Sequence, residues 1–134
     1  MEEEKKIIKL PASELEVMQV IWRLDEEGEK FITASRVMKR EPALNRLKLT
    51  TIFTLVSRLE MKGFIRTEKV GRSNCLEPII SSEDYRRFAY EDFVQNVYRS
   101  DRMDLVSALL DDEALTKEDL AEIKALVEKA EAGK

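Results

Sequence analysis

The 134-residue chain contains no histidine and a single cysteine, Cys75. Without histidine it lacks the usual general base near neutral pH and the commonest metal ligand. One cysteine cannot form a disulfide or a cysteine-rich zinc site within one chain, and we interpret Cys75 as a small core residue. No other nucleophile–base pair stands out. We therefore predict a protein that is not an enzyme and that uses no cofactor or metal.

Glycine, proline and long apolar runs are also scarce. Four glycines and three prolines leave little room for long loops, and 43% hydrophobic with 37% charged residues fits a packed core under a densely charged surface. This composition favours a mostly helical globular protein. No apolar run approaches the roughly 20 residues of a membrane-spanning helix. The charged segment from Met1 to Lys6 does not resemble a secretory signal, so we expect a soluble cytoplasmic protein without membrane insertion.

Charge is distributed unevenly along the chain. The net charge is −4, but residues 36–72 carry +7 between flanking segments of −4 and −7. A basic segment in an acidic protein attracts phosphates locally, whereas the rest discourages indiscriminate binding. The alternative is an uneven solvated surface without a partner. The ten basic residues of the segment are Arg36, Lys39, Arg40, Arg46, Lys48, Arg58, Lys62, Arg66, Lys69 and Arg72.

Apolar spacing predicts two helices in the first forty residues. The first runs to about Asp25 and begins with a capping-box pattern, in which Ser13 is the cap and Glu16 its partner three positions later. Thr33 is expected to cap the second helix, which runs to about residue 40. The pair 31–32 between them is too short for a full strand but could add an edge to a small sheet.

A third helix is predicted from about Lys48 to Lys62. Its apolar residues recur at helical spacing, and Gly63 follows the last of them as expected for a left-handed cap. On the opposite side, hydroxyl-bearing side chains surround an aromatic ring, while Met61 is expected to pack on a neighbouring element. The apolar stripe consists of Ile52, Leu55, Val56 and Leu59.

Two short β-type runs, 64–69 and 74–79, follow as a predicted hairpin. Three further helices are predicted at about 82–99, 103–110 and 117–131. The order of elements predicts a mainly α fold with a small β-hairpin wing. It is typical of a winged helix-turn-helix, in which the third helix enters the major groove of DNA and the hairpin touches the backbone.

We accordingly divide the chain into a winged-helix DNA-binding domain, 1–80, and a helical dimerisation region, 81–134. Threonine and serine hydroxyls suit base edges, and lysine and arginine suit phosphates. Arg72 lies beside Gly71 at the hairpin tip and is the best-placed phosphate contact. The alternative is that the hydroxyls are ordinary solvated residues. The candidate DNA contacts are Arg46, Lys48, Thr50, Thr51, Phe53, Thr54, Ser57, Arg58, Lys69 and Arg72.

The last three helices are too small for an independent core, yet they carry many apolar side chains. Packing against a second copy would cover these side chains, and a two-fold dimer matches palindromic DNA. The alternative is that these helices fold back on the winged helix of their own chain. The candidate dimer contacts are Tyr85, Phe88, Phe93, Tyr98, Leu105, Leu109, Leu120 and Ile123.

Three stretches resemble the penicillinase-repressor (BlaI/MecI) family over nearly the whole chain. They are residues 15–22 in the first helix, 51–63 in the third helix and its cap, and Gly71-Arg72 followed by Pro78 and 82–85. The resemblance implies a homodimeric transcriptional repressor on a palindromic, double-stranded operator. In members that control β-lactam resistance, a membrane sensor-protease acting in trans triggers cleavage of the repressor within the dimerisation region.

The chain departs from this family at two functional positions. Ala108-Leu109 stands where the family has its cleaved Asn-Phe bond, and Lys48-Leu49 replaces the Ser-Pro that often begins the recognition helix. Two other functions stay open from the residues alone. One is a winged-helix module that binds proteins, against which the basic segment counts. The other is a regulator that responds to a small molecule.

Overall fold

The computed structural model describes residues 6–134, so the charged segment that ends at Lys6 lies almost entirely outside the described residues. The described chain is mainly helical with one two-stranded sheet, which confirms the predicted fold class. A short 3-10 helix, Pro42–Arg46, precedes the third α-helix. The elements are α1 (Ala12–Glu26), α2 (Ala34–Arg40), α3 (Leu49–Met61), β1 (Ile65–Val70), β2 (Ser73–Pro78), α4 (Ser82–Asn96), α5 (Arg102–Leu110) and α6 (Lys117–Ala132).

The chain forms two compact units, which we call the first unit, ending at Ala89, and the second unit, Tyr90–Lys134. The helix α4 begins in the first unit and ends in the second. A continuous hydrophobic core lies in the first unit, where α1, α2, α3 and the hairpin contribute buried side chains. The division of the chain into domains 1–80 and 81–134 stays a prediction.

The predicted capping box at the start of α1 is wrong. The helix begins at Ala12, and Pro11 occupies the cap position without any side-chain hydrogen bond. Pro11 has a φ of −59°, and its carbonyl oxygen accepts the first helical hydrogen bond from Leu15 N at 2.9 Å. Proline's fixed φ suits a helix start, so Ser13 lies inside the first turn rather than at its cap. The cap at Thr33 is confirmed, because its hydroxyl oxygen accepts from Arg36 N at 3.1 Å.

The hairpin is antiparallel and closes through a tight turn. Its register pairs Ile65 with Pro78 and Val70 with Ser73, and Gly71 in the turn has a φ of +64°. The pair 31–32 does not form the edge strand that the sequence suggested. It contributes one hydrogen bond, in which Leu76 N donates to the Ile32 carbonyl oxygen at 2.7 Å. This bond ties the hairpin to the segment before α2.

The first turns of α4 belong to the core of the first unit, which corrects the expectation for Tyr85. Tyr85 is 6% exposed, and its hydroxyl oxygen accepts a hydrogen bond from Leu10 N at 3.0 Å. Its ring lies 5.6 Å from Trp22 and 5.7 Å from Phe64, centroid to centroid. Phe88 packs partly against the same core. Tyr85 is therefore covered by its own chain and is not available to a partner.

Candidate nucleic-acid interface

One side of α3 is exposed because the opposite side is buried in the core of the first unit. The four predicted stripe residues are buried, with Ile52 and Leu59 fully inaccessible. The helical period then places the intervening residues on the surface. Phe53 is 50% exposed, and Met61 is 87% exposed, so the expectation that Met61 packs on a neighbour is wrong. The exposed face carries Thr50, Phe53, Thr54 and Ser57.

The C-terminal end of α3 is fixed to the rest of the first unit. At its end Gly63 adopts a φ of +81°, and Phe64 N donates to the Leu59 carbonyl oxygen at 3.0 Å. Lys62 Nζ lies 2.5 Å from Glu14 Oε1 of α1, and Glu14 is only 2% exposed. A buried carboxylate requires such a partner. This ion pair therefore holds the end of α3 against the start of α1.

A groove of about 690 Å³ separates α3 from the hairpin. Its walls are joined by the Thr67 hydroxyl of β1, which donates to the Glu60 carboxylate of α3. Three of the predicted DNA contacts, Phe53, Ser57 and Arg72, line this groove. The candidates at the start of α3 do not line it. The groove is lined by Thr33, Ala34, Ser35, Phe53, Val56, Ser57, Glu60, Thr67, Arg72, Ser73, Asn74 and Leu76.

Only part of the basic segment is free to meet phosphates. Half of its ten cations form ion pairs, and every partner carboxylate lies outside residues 36–72. The paired side chains are Arg36 with Glu29, Arg40 with Glu27, Arg46 with Glu16, Lys62 with Glu14, and Arg66 with Glu77. The other five cations of the segment form no ion pair or hydrogen bond with any residue of the described chain. They are Lys39, Lys48, Arg58, Lys69 and Arg72.

Arg46 is a candidate contact whose guanidinium is already held in place. Its Nη2 lies 2.6 Å from Glu16 Oε1, and its Nη1 donates to the Ala43 carbonyl oxygen at 2.5 Å. The hydrogen bond from Arg46, assisted by its charge, lowers the pKa of the Glu16 carboxyl below its usual value. Arg46 therefore lies at the approach to α3 in a fixed orientation, with its charge partly neutralised.

Nine of the twelve groove residues are absent from the predicted DNA contacts, and they include the polar residues Ser35 and Asn74. Asn74 pairs with Lys69 in the hairpin register, so the predicted hairpin could have identified it. Ser35 follows the Thr33 cap by two positions and carries no signal in the sequence that points to this groove.

The second unit exposes the apolar side chains that were expected to meet a partner. Of residues 90–134, all of which the structure describes, only Val94 is buried. Phe93 is 43% exposed, Leu109 55% and Leu120 39%. The remaining candidates of this unit, Tyr98, Leu105 and Ile123, are half-buried.

The exposed hydroxyl face of α3 and the free cations beside it, on a helix followed by a β-hairpin, define a winged-helix DNA-binding regulator. Residues 10–129 match the family model described as "Penicillinase repressor". The chain belongs to the penicillinase repressor (BlaI/MecI) family, as its resemblance indicated, and is a non-enzymatic transcriptional repressor.

Two repressors align with this chain along almost their full length. A penicillinase repressor from Bacillus licheniformis is 29% identical over 124 residues, covering 92% of this chain and 93% of that protein. Methicillin resistance regulatory protein MecI of Staphylococcus aureus (strain N315) is 24% identical over 126 residues, covering 94% and 98%. A solved MarR family protein from Bacillus stearothermophilus shows a weaker structural similarity, with a TM-score of 0.45 at 16% identity over 94% of this chain and 76% of that chain.

Residues 6–134 contain neither a membrane-spanning helix nor a metal-binding cluster. No helix in residues 6–134 is long and apolar enough to cross a membrane. No group of three or more cysteine, aspartate or glutamate side chains in that range is arranged to hold a metal ion.

Proposed function

We propose that this repressor acts in the cytoplasm as a homodimer on a palindromic operator, with α3 of each copy in the major groove and each hairpin on the adjacent backbone. The observation that carries the proposal is the exposed hydroxyl face of α3 beside cations that have no partner within the described chain. In this arrangement residues 1–80 bind DNA and residues 81–134 bind the second copy.

The candidate contacts divide by chemistry into two groups. Thr50, Thr51, Phe53, Thr54 and Ser57 meet base edges, because hydroxyls and apolar groups read the major groove. Cations set the register and the affinity through phosphates, which carry no sequence information. The cations are Arg46, which shares its guanidinium with Glu16, and Lys48, Arg58, Lys69 and Arg72.

The dimer is supported by the apolar surface of the second unit. Exposed large apolar side chains that cluster on a short stretch of chain mark interaction sites in soluble proteins. Covering them by a second copy also gives two equivalent reading helices, which matches an operator with two half-sites. The proposed contacts are Phe93, Tyr98, Leu105, Leu109, Leu120 and Ile123, with Phe88 at the margin and Tyr85 omitted.

Sedimentation equilibrium tests the dimer. We expect about twice the chain mass of 15.6 kDa, and Leu120→Lys should shift the chain towards monomer because a charge enters an apolar contact. Ala125→Lys is the matched control, since it adds the same charge about 140° further round α6. A wild-type monomer that ignores DNA would contradict the proposal and favour the protein-binding module.

Gel-shift titrations at several salt concentrations test the phosphate contacts on the hairpin. Arg72→Ala should weaken binding to all sequences and flatten the slope of log K against log salt by roughly one phosphate contact. Arg66→Ala is the control, because Arg66 already pairs with Glu77 at 3.0 Å. Equal losses of DNA affinity in the two variants would show that an ion pair within the chain does not keep a cation from contacting phosphate.

We further propose that proteolysis within α5 relieves repression. The bond between Ala108 and Leu109 lies within α5, none of whose nine residues is buried. In a chain that has left the dimer, such a helix opens locally at low cost, and cleavage follows the population of the open form. A membrane sensor-protease acting in trans would thus cut α5 and lower the avidity of the dimer for two half-sites. Mass spectrometry of the repressor from induced cells tests this step, and an intact chain under derepression would exclude it.

A further inference from the structure

The hydroxyl of Thr54, midway along the exposed face of α3, is already committed as a donor. Its Oγ1 donates to the Thr50 carbonyl oxygen, one turn earlier, at 3.1 Å. A threonine hydroxyl has one proton and two acceptor lone pairs. The back-bond uses that proton, so the outward chemistry of Thr54 consists of acceptor lone pairs and a methyl group.

An acceptor distinguishes the bases in the major groove. Adenine N6 and cytosine N4 are the amino donors there, whereas guanine N7 and O6 and thymine O4 are all acceptors. A hydroxyl with a free proton could pair with either kind of group. A hydroxyl whose proton is used inside the helix can pair only with an amino group.

The neighbouring hydroxyls differ from Thr54 in this respect. The side chains of Thr50 and Ser57 form no hydrogen bond with any residue of the described chain. Both can therefore donate or accept, and they tolerate more bases. Phe53, which is 50% exposed beside Thr54, offers only apolar contact, such as with a thymine methyl.

We propose that Thr54 is a specificity-determining residue that accepts a hydrogen bond from the amino group of adenine or cytosine and rejects guanine and thymine at that position of the strand it contacts. The inference rests on the proposed function, since it requires α3 to lie in the major groove. It adds the direction of the hydrogen bond and hence the chemical class of the base.

The test begins with selection of bound duplexes from a random-sequence library by the full-length wild-type protein, Thr54→Val and Thr54→Ser. Valine keeps the shape and a methyl group but removes the acceptor, whereas serine keeps the hydroxyl and removes the methyl. One base pair of the operator should be fixed for the wild type and Thr54→Ser, and relaxed for Thr54→Val. The adenine or cytosine of that pair supplies the amino group, because every base pair presents one amino donor in the major groove. Circular dichroism checks that the variants keep the wild-type helix content.

The second step removes the amino group itself. If adenine is selected, purine replaces it in the duplex; if cytosine is selected, 2-pyrimidinone replaces it. Wild-type affinity should fall roughly three- to tenfold, the range expected for one hydrogen bond, and Thr54→Val should show no further loss.

The outcomes separate the two proposals. A wild type that loses no affinity when the amino group of that base pair is removed, or a Thr54→Val variant that stays as sensitive to the amino group, overturns the role of Thr54 while leaving DNA binding intact. A wild type that selects no sequence and binds no duplex overturns the proposed function and, with it, the inference.

Discussion

The two units of this repressor treat their apolar residues in opposite ways. The first unit buries twenty apolar side chains in one cluster formed by its own helices and hairpin. In the second unit, Val94 is the buried residue, and α5 and α6 have no buried residues. Because burial of apolar surface is the main favourable term in folding, the first unit has its own source of stability and the second unit depends on what covers it.

Glycine use follows the same division. Within residues 6–134, every left-handed position of the first unit is a glycine, namely Gly28, Gly63 and Gly71. The second unit instead places Arg99 at a φ of 49° and Ser100 at 68°, in the connection between α4 and α5. Side chains rarely adopt this region because the Cβ atom crowds the backbone. The second unit therefore combines an uncovered surface with a strained connection.

The strongest test of the contrast substitutes one phenylalanine in each unit. Phe64→Ala removes a side chain that is fully buried, and it should lower the free energy of unfolding by about 3–5 kcal/mol at any protein concentration. Phe93→Ala removes a side chain that is 43% exposed, so its effect should grow with the fraction of dimer. Urea unfolding at two protein concentrations measures both.

The contrast would fail if both variants lost the same stability and neither depended on concentration. That result would mean that the second unit is stabilised without a partner.

A smaller effect is expected from relieving the strained connection. Ser100→Gly should raise the free energy of unfolding by about 1 kcal/mol, because glycine adopts a positive φ without the Cβ clash. Ser107→Gly, inside α5, is the matched control and should lower the same free energy by about 0.5 kcal/mol. Midpoints of thermal unfolding report both signs. A loss of stability in Ser100→Gly would show that the connection is not strained.

The smallest effect concerns the ion pair between Glu16 and Arg46 in the first unit. The pKa of Glu16 is lower in the folded chain than its ordinary value of 4.5. The pair therefore stabilises the fold above that ordinary value, and the contribution is lost as the pH falls through the folded pKa. Glu16→Gln should cost about 0.5 kcal/mol at pH 7 and nothing in strong acid, since both side chains are partly exposed.

Unfolding in urea at pH 7 and at an acidic pH measures this difference. Glu68→Gln is the control and should unfold like the wild type at both values, because Glu68 is exposed on β1 and its side chain forms no ion pair or hydrogen bond with a described residue. A cost for Glu16→Gln that does not depend on pH would contradict the assignment to the ion pair.

Local patterns predicted the elements of this fold well. The stripe of α3, the Thr33 cap and the hairpin are set by residues close in the chain, so their spacing is visible in the sequence. The segment from Ser13 to Glu16 shows the limit of prediction from local patterns. Its capping-box pattern is local, but Glu16 binds Arg46, thirty positions away, once the chain folds.

Prediction of the candidate site from sequence is limited by the same long-range pairing. Summing charges gave +7 for residues 36–72, yet half of the cations there are paired with carboxylates from other segments. Tyr85 illustrates the corresponding limit for apolar residues. Its position in an amphipathic helix predicts burial, but only the packed structure identifies Trp22 and Phe64 of its own chain as what buries it.

The position of Trp22 makes the two units optically distinguishable. It is the one tryptophan of the chain, and its indole Nε1 donates to the Ile80 carbonyl oxygen at 2.8 Å inside the first unit. Indole emission therefore reports whether the first unit is folded, whereas the far-ultraviolet circular dichroism signal sums the helices of both units. Following the two signals in one urea titration would reveal, without any label, whether the two units unfold together or one after the other.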